Sequence, residues 1–213
     1  MLRLLILILV FALPLFPCDF LSRWIPRDPD RIESARIESL RTFIRSLEPK
    51  RLAVDRDFYL KTSRFEERFG FPFSGQKLDF WFGNRIRFFK IGRTDPYLAY
   101  HDGETIVLGK SFFLLSKIEQ ALVLVHEARH ADGKRYSHVE CPADFPYLSL
   151  RMPETKPAGL KACDDISDGS YGFGAAFLFE VFAYGLAEAG EEKYILGLYN
   201  SELTRILLPK GDR

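Results

Sequence analysis

The chain has 213 residues, 47% of them apolar, enough to bury one sizeable core. Thirty Lys and Arg stand against twenty-nine Asp and Glu, so the net charge is +1 and no general basic or acidic face is expected; nucleic acid is not an expected partner. An aromatic content of 15%, led by twenty Phe, points to an ordered, well-packed fold.

Met1-Leu2-Arg3 is a short positive segment, and residues 4–16 form an apolar run too short for a comfortable transmembrane helix. Residues 1–17 therefore read as a signal peptide, and the protein as exported to the periplasm or cell envelope. Cys18 stands directly behind the apolar run, similar to a bacterial lipobox, although Phe16 and Pro17 replace the usual small residues. Lipidation of Cys18 would tie the protein to a membrane. Ordinary cleavage nearby and an uncleaved anchor are the alternatives. Residues 18–30, broken by Pro26 and Pro29, read as a tether.

Asp28 or Asp30 can cap a helix over 31–47, whose short recurrence of Arg-Ile-Glu-Ser is a surface pattern of that helix. Residues 77–82 alternate with Leu78, Phe80 and Phe82 on one face, and Gly83-Asn84 before 85–91 signals a hairpin. A second hairpin is expected over 97–101 and 104–108, with Asp102-Gly103 as a type I′ turn and His101 as one of its residues.

Ser116 and Glu119 form a capping box for a helix starting at Lys117. Ile118, Ala121, Leu122 and Val125 give that helix a core-facing stripe, widened by Val123 and Leu124, and Gly133 is its expected C-cap. The helix carries His126-Glu127-Ala128-Arg129-His130. Residues i and i+4 lie on one helical face, so both imidazoles can reach one metal ion while Glu127 sits beside them. Neutral histidine nitrogens bind zinc, and a neighbouring carboxylate can take a proton from water. The competing reading is a core helix with two hydrogen-bonded histidines.

Beyond it, Cys141 and Cys163 are the pair left over once Cys18 is set aside, and a disulfide between them suits an oxidising compartment. The glycine-rich stretch 169–174 lacks the spacing of a phosphate cradle and reads as a close-packed turn; residues 175–188 and 192–208 read as helices.

An edge-strand-like segment, a capped apolar helix and HExxH, in that order, resemble a zincin metallopeptidase over roughly residues 76–190. Within that family His126 to Tyr136 resembles the metzincin pattern HExxHxxGxxH at His126, Glu127, His130 and Gly133, and departs from it at Tyr136, where the family has a third histidine. The resemblance implies an α+β fold: a small antiparallel or mixed sheet packed on the active helix, further C-terminal helices, and one catalytic domain over 31–213. It also implies zinc-dependent hydrolysis of peptide or protein substrates with Glu127 as general base. The strand at 105–108 would run along the substrate cleft as an edge, unless it is an interior strand. Three readings of the third ligand stay open: His138, Glu180 on the following helix (otherwise a helix-margin carboxylate paired with Arg205), and Asp164, Asp165 or Asp168. Tyr136 or Tyr171 could stabilise an oxyanion, and Met152 could stand in for the family's methionine turn. A scaffold protein of the cell envelope, with a closed structural zinc site and no catalysis, is the alternative function.

Overall fold

A computed structural model of the chain describes residues 25–148, 150 and 157–207; the expected signal peptide, Cys18 and Met152 lie outside these. The protein is α+β. Helix α1 (Arg31–Ser46) begins at Asp30, whose carboxylate accepts from the amides of Ile32 and Glu33 while Glu33 reaches back, a complete capping box. Two short helices, α2 (Arg56–Thr62) and α3 (Phe65–Phe69), lead to α4 (Gly75–Gly83).

Helix α4 replaces the first expected hairpin. Over 77–82 the apolar residues that are buried are Leu78, Trp81 and Phe82, a helical i, i+3, i+4 set, while Phe80 is 71% exposed. Two periods compete in so short a segment, and tertiary contacts decide: Arg41 and Arg45 of α1 clasp the buried Asp79 at 2.8 and 3.2 Å. Helical geometry puts that carboxylate and the apolar set on the faces that meet α1 and the core.

Strands β1 (Phe88–Ile91), β2 (Ala99–Asp102) and β3 (Thr105–Leu108) form a mixed sheet in the order β1-β3-β2. β1 runs parallel to β3, with Phe88 opposite Thr105. The β2–β3 hairpin is as expected, but Asp102 pairs with Thr105, so the turn is Gly103-Glu104, one residue later than read from the sequence. Only Gly103 has positive φ (63°), the pattern of a type II′ rather than a type I′ turn. β3 is central, so the interior reading of 105–108 holds and the edge reading is corrected: β1 and β2 are the outer strands of this sheet, and β2 packs on the HExxH helix. The segment read as a tether is also partly docked, since Arg27 exchanges both main-chain hydrogen bonds with Ile91.

The HExxH helix, α5 (Lys117–His130), has the reciprocal Ser116–Glu119 capping box. Its apolar side meets helix α6 (Ser170–Ala183) in one core containing Leu124, Val125, Ala128, Phe173, Phe177 and Leu178. The glycine-rich stretch is therefore mostly the first turn of α6, and that helix ends at Ala183, not near residue 188. Helix α7 (Glu192–Leu203) packs on α6. A second, smaller layer stands apart: β4 (Val139–Glu140) pairs antiparallel with β5 (Lys161–Cys163) around Cys141, Ala162 and Cys163. Among the described residues, no helix is long and apolar enough to cross a membrane.

Candidate metal centre

α5 ends at His130, with Ala131 as C-cap. Gly133 is not the cap; at φ 122° it sits in a region that a side chain disfavours, and there it turns the chain back across the end of the helix. That reversal delivers Tyr136 and His138. The main-chain carbonyl of Tyr136 lies 2.6 Å from His130 Nδ1. A carbonyl only accepts, so Nδ1 carries the proton and the Nε2 lone pair of His130 is left for a ligand.

His138 is brought to the helix pair. Its Nε2 is 2.9 Å from His126 Nε2, and one ligand atom from each of His126, His130 and His138 falls within 4.8 Å of the others. The chain thus assembles three imidazoles whose donor atoms could hold one metal ion. Burial pushes the His126 imidazole well below its usual pKa and that of His130 down to about 4, with the charge of His138 adding to the effect in both. Both rings are neutral at neutral pH, the form that binds metal.

The other candidates are sorted by position. His138 Nδ1 donates to Asp164 Oδ1 at 2.8 Å, so Asp164 orients that imidazole and is not itself among the clustered donors, an arrangement that fixes the ring and strengthens its donor nitrogen. Asp164 is itself held from several sides: Oδ2 accepts from the Tyr171 amide at 2.9 Å, and its main chain pairs with Arg205 and Leu207. Gly169 lies so near that a Cβ there would stand 2.3 Å from Asp164 Oδ2. Asp165 is exposed, and Asp168 pairs with Arg129.

Glu180 is corrected as a ligand. It lies on α6 ten residues past Ser170, about 15 Å along the helix, and accepts hydrogen bonds from Ser63 Oγ at 2.5 Å and Tyr59 OH at 3.0 Å. Nor does it pair with Arg205, which donates to the carbonyl of Ala162. Burial raises its pKa.

Glu127 is buried, and desolvation lifts its pKa to about 8, opposed by a hydrogen bond from the main-chain amide of His101. His101 is therefore more than a hairpin residue. It sits opposite Ile106 in the β2–β3 register, on the face turned to the core, and its buried Nε2 has no hydrogen-bond partner among the described residues. A charge on His101 would depress His130.

Of the two tyrosines, Tyr171 belongs to the site, its ring centre 4.7 Å from that of His126 and 5.0 Å from that of His138, with its hydroxyl pKa raised by burial. Tyr136 does not present its ring for oxyanion binding: it is stacked on Arg129 at 3.6 Å. Arg129 went unremarked in the motif, yet it is sandwiched between Tyr136 and Phe173, and donates to the carbonyl of Asp168 and to Asp132. It thereby holds the turn that supplies the carbonyl to His130. A buried arginine one residue before the second histidine was the available signal. Cys141 and Cys163 are joined in a disulfide, Cα atoms 5.2 Å apart. No protein-family model, curated protein or solved structure matches the chain.

Proposed function

We propose that the protein is an exported zinc-dependent metallopeptidase, with His126, His130 and His138 as metal ligands and Glu127 as general base. The observation that carries this reading is the convergence of three imidazole donors, two of them on the helix that also carries the buried carboxylate of Glu127. The donor set fits a transition metal: all three are nitrogen, and two of the rings have Nδ1 engaged by an oxygen acceptor. When bound, a divalent ion of this kind supplies Lewis-acid polarisation of a carbonyl and of water.

The chain's own groups do the rest. Glu127 takes a proton from the attacking water and returns it to the leaving amine, and the His101 amide holds its carboxylate in place. Asp164 and the Tyr136 carbonyl keep His138 and His130 in the required tautomer. Tyr171, whose ring lies against His126 and His138, is the group offered to a substrate carbonyl. An extended peptide adds to β2, the sheet edge packed on α5, taking the role expected of β3. Export to the cell envelope rests on the N-terminal sequence and the oxidised cysteine pair, with membrane attachment through Cys18.

The alternative, a cell-envelope binding or scaffold protein with a closed structural zinc site, would be favoured by Glu180 lying beside the three histidines as a further ligand. The engagement of Glu180 with Ser63 and Tyr59 removes that support. The deciding experiment combines metal analysis of the purified protein with peptide hydrolysis by wild type and Glu127→Gln. The reading expects about one zinc ion per chain in both proteins and a 10²- to 10⁴-fold loss of hydrolysis in the variant, roughly the contribution of a general base. Zinc-free protein, or equal hydrolysis by the two, would overturn it.

A further inference from the structure

On the far side of α6 from the histidines lies a cavity of about 290 Å³ that the proposed chemistry does not use. Its size suits a small molecule. Ala175 and Ala176 leave the space, and Phe179 and Tyr199, with ring centres 5.9 Å apart, form an aromatic wall. The opposite wall is cationic: Lys61 from the last turn of α2, Arg64 at the start of α3 and Arg68 in its last turn. Three like charges around one cavity repel each other.

Their partners are insufficient to neutralise them. Arg64 donates to the carbonyl of Ser63 at 2.8 Å, and its nearest carboxylate, that of the exposed Glu67, is 3.8 Å away. Arg68 is half-buried and donates to a carbonyl, that of Ser167 at 3.1 Å. The acidic groups whose charge reaches it are Glu67 and Asp168, already engaged by Arg64 and Arg129. A guanidinium withdrawn from water without a carboxylate of its own favours an external anion.

We propose that this cavity is a binding site for a small organic anion, its phosphate or carboxylate held by Lys61, Arg64 and Arg68 and its flat apolar body laid against Phe179 and Tyr199. The site is independent of the peptidase reading. It is tested by titration calorimetry of the full chain with phenyl phosphate, benzoate, inorganic phosphate and benzyl alcohol. Phenyl phosphate or benzoate binds with a Kd of about 1 mM or tighter, and inorganic phosphate and benzyl alcohol bind at least about tenfold more weakly, since each supplies one half of the contact. Arg68→Gln weakens the aryl anion about tenfold or more, Lys61→Gln and Arg64→Gln by smaller factors, and His126→Ala leaves it unchanged. If Arg68→Gln fails to fold, the Lys61→Gln/Arg64→Gln pair decides. Absence of binding, an affinity indifferent to all three cations, or a loss seen in His126→Ala instead, would overturn the proposal.

Discussion

The three imidazoles are supplied by two regions built on different physical principles. His126 and His130 ride on α5, a capped helix whose apolar side is sealed into the main core with α6. His138 belongs to the β4–β5 layer, which has two short strands, a small apolar cluster and one covalent bond. The disulfide closes on residues next to the site: Cys141 lies three positions after His138, and Cys163 immediately precedes Asp164, the carboxylate that orients His138. Helix and core fix His126 and His130; a covalent staple fixes His138 and its orienting carboxylate together. A small layer cannot exclude enough water to do this by packing alone.

This contrast can be broken from either side. The largest effect is expected from Leu124→Ala in the α5–α6 core, a cavity-forming change costing about 2–5 kcal/mol. Calorimetric or denaturant unfolding should report it as a cooperative loss of the whole domain. Replacing Cys141 and Cys163 by serine should cost about 3 kcal/mol on the chain-entropy account, but with a different signature. The α5–α6 core should persist by circular dichroism, while metal affinity falls to that of a two-histidine site. Equal metal affinity with and without the disulfide would contradict the division of labour drawn here.

Asp164→Asn sharpens the comparison without cutting the staple. It keeps the shape and removes the charge behind His138, and should lower metal affinity by about 10- to 100-fold with little change in stability at saturating metal. Competition with a chromophoric chelator measures it. The smallest effect concerns Glu180, away from both regions. Burial raises its pKa in the folded protein, so the folded state binds its proton more tightly than the unfolded chain does. Its stabilising contribution is complete below the ordinary carboxyl range and declines as pH rises through the raised value. Glu180→Gln should flatten that part of the stability–pH curve and leave zinc content unchanged; reduced zinc would restore Glu180 to the site.

How much was legible in sequence follows the range of the forces involved. The Ser116–Glu119 box, the apolar stripe of α5 and the cap of α1 depend on neighbours within four residues, and each was readable. Residues 77–82 are ambiguous in sequence because a few apolar residues fit two periods, and the core contacts of Leu78, Trp81 and Phe82 with the Arg41 and Arg45 pairs to Asp79 select the helix. Whether β3 is an edge or an interior strand stays open in sequence because strand order is not encoded in any one strand: β1 lies beside it after a crossover. Glu180 was a reasonable ligand as a carboxylate in an apolar helix, but Tyr59 and Ser63, more than a hundred residues earlier in the chain, satisfy it.

What the sequence determined by itself is the histidine pair and its neighbouring carboxylate, because helical spacing alone puts His126 and His130 on one face with Glu127 beside them. It also specified the cysteine pair. Tertiary structure decided that His138 joins them, that Asp164 stands behind it, and that the His101 amide reaches Glu127. The reason is physical: those groups meet through a chain reversal at Gly133, a disulfide spanning 22 positions and a sheet edge packed on a helix, and no local periodicity records such closures.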